Sequence, residues 1–473
     1  MGNKLIKSGI AYTICNVILR GISFLTVPLF IRLLTPDEFG RYNVFISFEG
    51  ILFIFSAFTI HASVKNAFYD KKDNYDTYIK NCIYLDFFNS FLLFCISNII
   101  CYFYQELIDL DYTEVSLLVL SGFCQAVISI YSAKLIMEYR SRDFIIVSII
   151  STLVGISVAL LFIFTIFDCN HYLGRVWGGI IGQLSATIFI LVKIFKTGFP
   201  EVSIASWIYG LKITLPIIPH GLSQIVLSSA NRVMIKFFYN AELAGIFSFT
   251  YTVSLIPQIL FNSISNVWEP WIFEQIDKKD YESINKGSLN FATLISIVFV
   301  LMSCLVPEVI KILATEEYYD SIDISIIVLI GCYFATLYYI PCEVEYFYKK
   351  TKYIAFSTVI CALFNVVVNY FLMQHFSYKI AAYVTMVSYF FYFVFHLIMT
   401  RYISGRWLYR LSKFISIIVA SVFIMLYSLL LADSIIMRLL IFFVVFSFSI
   451  NFYKNYIKAG WVKLISVVKY REI

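Results

Sequence analysis

The chain has 473 residues, of which 60% are hydrophobic and only 14% charged, with a net charge of +6. An ordinary soluble domain carries roughly a quarter of charged residues, so a soluble globular protein and a disordered chain are both excluded; the mean hydropathy of +0.82 agrees. The apolar content suffices for about fourteen membrane helices of ~20 residues and leaves no length for a large water-soluble domain.

Fourteen apolar runs follow in chain order, near 9–32, 43–64, 82–104, 115–136, 145–167, 175–193, 210–231, 243–268, 287–307, 322–341, 354–374, 380–400, 413–432 and 436–453. A chain crossing lipid must satisfy its backbone hydrogen bonds internally, and long runs rather than short alternating ones predict helices, not barrel strands. The expectation is an all-α polytopic membrane protein of about fourteen spans. The first run is too long for a signal-peptide core and reads as a retained helix. The inner loop 269–286, which follows Trp268 and Trp271, suits an interfacial helix.

With the N-terminus in the cytoplasm, Lys and Arg number 27 on the inner segments and 8 on the outer ones, leaving Arg20 within a span. The alternation never inverts, which supports both the count and the orientation. Both termini then lie inside, and the tail from Lys454 carries five bases suited to an anionic inner leaflet. This explains the positive charge without nucleic acid. The ten cysteines include no C-x-x-C pair and sit mostly in apolar runs, where they act as small packing residues. Only Cys169 falls in an outer loop, which makes no disulfide framework.

No motif points to an enzyme, a cofactor or a metal. Gly174, Gly178 and Gly182 in GRVWGGIIG (174–182) are four apart within a span, which is helix-packing spacing rather than a dinucleotide fingerprint. The Asp-x-Asp at 109–111 lies in a short, outward, acidic loop, away from nucleotide sugars. No P-loop, no Ser-His-Asp arrangement and no metal-ligand spacing is present.

Function is carried by polar residues inside the membrane, where a charge costs at least ~2.5–3.5 kcal/mol. Thr13, Asn16, Arg20 and Ser23 are spaced three, four and three apart and share one face of helix 1. Helix 7 has a second stripe of His220, Ser223, Gln224, Ser228 and Asn231. Helix 8 has a third, of Tyr251, Ser254, Gln258, Asn262, Ser265 and Glu269. Pro28, Pro216, Pro219 and Pro257 interrupt these helices, as in moving transporter helices. The stripes read as the lining of a hydrated cavity; hydrogen-bonded glue between helices is the alternative for any single member. Arg20 suits a phosphate, because its planar fork binds two oxygens at once. His61, Asp86, His220 and Glu269 are the titratable candidates for proton coupling, with a structural role as the alternative for each.

A shift of 204 residues lays helix 1 on helix 7, Asn16 on His220 and Arg20 on Gln224. IRLLTPDEFGRY (31–42) then falls on IKFFYNAELAGI (235–246), and one added residue brings Gly40 to Gly245. This parallel repeat predicts three parts: a six-helix bundle over 1–200, a second over 201–402, and helices 13 and 14 with a basic tail over 403–473. Two matched bundles around a cavity suit alternating access.

The residues resemble a family. LLTPDEFGRYNVF (33–45) is similar to the L-x-P-x-x-[YF]-G signature after helix 1 of bacterial polysaccharide flippases. LPIIPHGLSQIVLSSANRVMIKFF (215–238) resembles their helix 7, and AGIFSFTYTVS (244–254) the segment after it. EEYYDSIDISIIVLIGCYF (316–334) and the run 378–400 resemble the approach to helix 10 and helix 12. Asn231 stands where that family often has an acid, and SYKIAAY (377–383) lacks its usual glycines. The family belongs to the multidrug/oligosaccharidyl-lipid/polysaccharide exporter superfamily.

The resemblance implies a flippase of the bacterial cytoplasmic (inner) membrane. Such a protein moves an undecaprenyl-pyrophosphate-linked oligosaccharide, an O-antigen (lipopolysaccharide) or capsule repeat unit, from the inner to the outer leaflet. The family's cationic cavity would correspond to Arg20, with Lys65 and Arg232 near helix ends. Asn16, His220, Gln224, Gln258 and Asn262 complete the expected substrate site. A polysaccharide polymerase and a chain-length regulator are the protein partners this reading allows. The competing expectation is a cation-coupled multidrug or metabolite antiporter, which needs an acidic cation site in its core; the acids here lie mostly at helix ends, against that reading.

Overall fold

The computed structural model describes residues 15, 21–22, 26–108 and 110–469, side chains at 104–108, 262–263, 266–267 and 455–469 excepted. The described chain is almost entirely helical and holds no strand. Eleven of its helices are long and apolar enough to cross a membrane, or twelve with one bent pair counted as a span. The chain is an all-α, multi-pass membrane protein.

The run at 26–33 (α1) ends at the bend of Leu34. Thr35 then starts α2 (Pro36–Ala57) with a capping box: the Glu38 N–H donates to Thr35 Oγ1 (3.3 Å) and the Thr35 N–H to Glu38 Oε2 (3.0 Å). Pro36 fits because the first helical turn has no use for its missing N–H. α2 breaks at Phe58 and Thr59, which take the left-handed conformation at φ 43° and 50°. Beyond the break come α3 (Ser63–Asp70), α4 (Tyr75–Ile108) and α5 (Tyr112–Met137). The predicted span 43–64 is therefore a bent pair, with 58° between its halves.

α6 (Ser141–Ile149) continues through a π turn at Ile150–Val154 into α7 (Gly155–Thr165), and α8 (His171–Phe195) packs back on both. The glycine spacing in α8 accounts for this seam. A Cβ on Gly178 would stand 2.4 Å from the Ala159 backbone nitrogen, and one on Gly182 would stand 2.3 Å from the Ser151 carbonyl oxygen. Small residues let the two backbones touch.

α9 (Ile204–Thr214) runs through a 3-10 turn at Leu215–Ile217 into α10 (Ile218–Phe238), broken where Pro216 and Pro219 remove backbone donors. The predicted helix 8 (243–268) is two helices, α11 (Ala241–Ser254) and α12 (Ile256–Asp277), parted at Leu255 just before Pro257. α12 runs on through the first half of the inner loop expected at 269–286 and ends at Asp277. After it come α13 (Tyr281–Leu313), α14 (Ile322–Leu337), α15 (Tyr339–Phe347), α16 (Thr351–Leu372), α17 (Ile380–Ser404), α18 (Leu411–Leu430) and α19 (Ile435–Lys469).

Contacts sort the chain into two compact units. The first holds the chain up to Ser248 with Leu313–Glu317 and Ile354–Ala381; the second holds Phe249–Ile312, Tyr318–Tyr353 and the chain from Ala382. These units rest on proximity, whereas the three-part division read from the sequence rests on chain order, so the two partitions describe different things. In the first unit α5 is central, packing on α2, α4 and α8 around Ile79, Val127, Ile130, Leu135 and Ile190. In the second, α14 is buried at every position from Ile324 to Leu337, as expected for a helix apolar all round. By contrast α4 and α19 expose Phe87, Phe91, Phe443 and Val444, side chains at home in lipid.

Candidate substrate site

Of the six residues expected to bind substrate, Arg20 and Asn16 lie outside the described residues, as does the side chain of Asn262. His220 and Gln224 are half-buried, one turn apart on α10. Gln258 is half-buried on α12. Much of the rest of both stripes is bonded within its own unit. Ser223 donates to the Pro219 carbonyl (2.8 Å) and Ser228 to that of Ile225 (3.1 Å). Asn231 accepts from Asn369 Nδ2 (2.8 Å), which also reaches Asn365 Oδ1 (3.2 Å), forming a buried amide chain between α10 and α16. Ser254 donates to the Ser325 carbonyl (3.3 Å), and the hydroxyls of Tyr251 and Tyr389 meet at 3.3 Å. Asn231, Ser254 and Tyr251 thus bond between helices and Ser223 and Ser228 within α10, while His220, Gln224 and Gln258 are half-buried. Lys65 is exposed on α3, Arg232 is half-buried on α10, and Glu269 is exposed.

The signature at 33–45 proves to be a structural corner. Glu38 caps α2 through one carboxylate oxygen, while its other oxygen accepts the His171 N–H (2.6 Å) at the start of α8. A carboxylate at a helix N-terminus is stabilised by the helix dipole. Phe39 is buried. A Cβ on Gly40 would stand 1.7 Å from the Ala241 carbonyl oxygen, and one on Gly245 would stand 2.0 Å from that of Pro36. The two glycines matched by the repeat thus face each other reciprocally, and only glycine allows the approach. Asp111 of the Asp-x-Asp pair is a helix cap: its Oδ1 accepts the Glu114 N–H (2.7 Å), and its own N–H donates to Glu114 Oε2 (3.0 Å).

Most acids do lie at helix ends, with Glu49 and Asp86 as buried exceptions. Glu49, in the middle of α2, is buried against neutral partners: Ser121 bonds its Oε1, and Gln183 Nε2 donates to the same oxygen (3.2 Å). Asp86 on α4 is 1% exposed, and its Oδ1 accepts from Ser56 (3.1 Å) and Ser90 (3.4 Å). Asp86 Oδ2 has no hydrogen-bond partner. Beside it, Asn89 Nδ2 donates to the Phe55 and Ser56 carbonyls (2.6 and 2.8 Å), which the break in α2 has freed. A buried acid thus sits at a broken helix, an arrangement transporters use for ions.

Two further sites escaped the sequence reading. Glu345 on α15 and His396 on α17 are fully buried and bonded at 2.6 Å, with the rings of Tyr338 and Tyr392 around the imidazole. Arg438, counted as an outer base, is 1% exposed. It makes a bidentate pair with Glu308, with Nη2 at 2.6 Å from Oε1, and also donates to the carbonyls of Cys304, Leu431 and Ala432. The available signal was simple: like Asp86, which the sequence did single out, Glu49, His396 and Arg438 are ionisable residues inside predicted spans, each a site until explained. Among the described residues, no group of three or more His, Cys, Asp or Glu is placed to hold a metal ion.

Broken membrane helices, Gly40 and Gly245 in close approach and polar groups held inside apolar helices characterise this multi-pass fold. The fold agrees with solved structures. A lipid II flippase, MurJ, in an inward closed conformation matches with a TM-score of 0.70 at 16% identity, over 96% of this chain and 100% of that one. An inward-facing MATE multidrug resistance transporter matches with a TM-score of 0.64 at 11% identity, over 83% and 99%. A MATE transporter of Vibrio cholerae matches with a TM-score of 0.56 at 14% identity, over 85% and 96%. The profile of the family described as "Polysaccharide biosynthesis protein" matches residues 5–276, and the chain belongs to that family. A comparison with curated protein sequences gives no match. These solved structures are of a flippase and of transporters, and this chain shares their fold.

Proposed function

We propose that the protein is a flippase that carries undecaprenyl-pyrophosphate-linked oligosaccharide repeat units from the inner to the outer leaflet of a bacterial cytoplasmic membrane by alternating access. The family match over 5–276 is the observation that carries this reading. Both termini are cytoplasmic, and helices 1–6 and 7–12 form the two moving bundles, with helices 13 and 14 appended. Arg20 neutralises the pyrophosphate. Asn16, His220, Gln224, Gln258 and Asn262 supply hydrogen bonds to phosphate or sugar, and the polyprenyl tail stays in lipid. O-antigen and capsule units are the substrates this chemistry suits, with a polymerase and a chain-length regulator acting downstream.

Deletion in the host tests the reading. Surface polysaccharide should disappear while the lipid-linked unit accumulates on the inner leaflet. The wild-type gene should restore it, and Arg20→Ala should not, although the variant remains in the membrane. Arg20→Lys should restore it only in part, since a point charge lacks the bidentate fork. Normal surface polysaccharide in the deletion strain would refute the proposal.

A second reading, a cation-coupled antiporter of the same superfamily, is favoured by one observation. Glu49 and Asp86 are buried acids whose hydrogen-bond partners are uncharged. Burying an ion away from a counter-charge costs several kcal/mol, so these sites suit a travelling cation or proton. Altered drug tolerance in the deletion strain, with polysaccharide intact, would establish this reading instead.

A further inference from the structure

A polar cavity of about 150 Å³ lies at one end of the first unit, remote in sequence from the residues assigned to substrate. It is lined by Asp76, Lys80, Lys134, Arg140, Lys193 and Thr197. These come from the start of α4, the end of α5, the turn before α6 and the end of α8. Because successive spans alternate in direction, all four places fall at the same membrane face, the one to which the charge bias assigns the bases.

The cations there are only partly neutralised. Lys134 bonds Asp76 (2.7 Å) and Glu138; Arg140 bonds Asp143 (2.7 Å) and Glu138 (3.3 Å); Lys193 bonds Asp143. Four cations thus share three carboxylates. The surplus falls on Lys80, which is 6% exposed. Its Nζ donates to Thr197 Oγ1 (2.8 Å) and the Gly198 carbonyl (2.7 Å), both neutral. An ammonium has three donors, and a buried charge is ordinarily paired. Lys80 is therefore a buried cation short of an anion, on the wall of a cavity several times the ~30 Å³ that a water occupies in the liquid. Next to Gly198, Phe199 is 77% exposed, and its ring stacks on Phe195 at 4.9 Å. Lys80 Nζ lies 6.0 Å from the same Phe195 ring. A phosphate in the cavity would thus have acyl chains running over aromatic surface, the position such side chains take at membrane interfaces.

We infer that this cavity binds the phosphate of an anionic membrane lipid, with Lys80 as its buried anchor and Arg140 and Lys193 at its mouth. Such a lipid ties the ends of α4, α5 and α8 to the headgroup layer. The inference stands apart from the substrate proposal, because it uses none of the same residues.

The full-length protein, purified in detergent and mixed with phosphatidylglycerol or phosphatidylethanolamine, would be examined by native mass spectrometry for retained lipid. Wild type should keep phosphatidylglycerol preferentially. Lys80→Gln, Arg140→Gln and Lys193→Gln should each lower that retention by about fivefold, the order expected for one interfacial cation, while Lys413→Gln, an exposed base elsewhere, should not. Arg140 and Lys193 are partly exposed, so their variants remain informative if Lys80→Gln fails to fold. Equal retention of the two lipids by wild type, or undiminished retention in the Arg140 and Lys193 variants, would overturn the inference. Displacement of phosphatidylglycerol by millimolar inorganic phosphate would keep the phosphate chemistry and overturn the lipid as its source.

Discussion

The most deeply buried ionisable groups of the two units are held by opposite means. In the second, Arg438 meets Glu308 in a bidentate pair and Glu345 meets His396. In the first, Glu49 and Asp86 meet hydroxyls and amides. A buried pair can be isoelectric with its surroundings and hold permanently. A buried acid among neutral donors changes the local charge whenever it gains or loses a cation. The ion pairs are fastenings, and the lone acids are where the antiporter reading proposed above is tested, on α2 and α4.

The largest effect should come from breaking the fastening. Arg438→Ala strands Glu308 and three carbonyls and should cost about 3–5 kcal/mol, read as a steep fall in the thermal unfolding midpoint in detergent. Arg438→Met combined with Glu308→Leu should regain much of it, because removing both charges removes the stranded one. A double variant as unstable as the single would show that the carbonyl contacts, not the pair, hold α13 to α19. Gly178→Leu comes next. It leaves every charge in place but wedges α8 off α7, where a Cβ already meets backbone, and overpacking of this kind costs about 1–3 kcal/mol. An unchanged midpoint would mean that the seam can open without loss.

The smallest effect on stability, and the sharpest test of the comparison, is Glu49→Gln or Asp86→Asn. Both keep the shape and a hydrogen-bonding group while removing a buried charge that has no counter-charge, so the unfolding midpoint should not fall. Transport followed under an imposed pH or sodium gradient is the second readout. Loss of the gradient response in a stable variant would make the first unit the coupling element. An unaltered response would reduce both acids to structural groups like those of the second unit.

Much of the architecture was legible because it is written locally. Apolar run length predicts spans wherever lipid is the solvent, and the i, i+4 glycines of α8 announced a close helix seam. Thr35-Pro36-Asp37-Glu38 and Asp111 with Glu114 carry their helix starts within four residues. Helix breaks were only half legible: Pro216, Pro219 and Pro257 marked theirs, but the break at Phe58 and Thr59 has no proline or glycine to show it. The polar stripes were legible as faces, yet a face does not say what it meets. Asn231 meets Asn369, 138 residues away, and Ser56 meets Asp86, 30 away.

The sequence by itself determined that this is an all-α membrane protein, because hydropathy, periodicity and capping act over a few turns of chain. Only the tertiary structure decided which buried charges are paired, which stand among neutral donors, and that Gly40 faces Gly245. Those outcomes depend on which helix ends come within 3 Å of one another, and the strength of a hydrogen bond or an ion pair in a low dielectric is set by that distance and by the exclusion of water, neither of which is encoded within a single span.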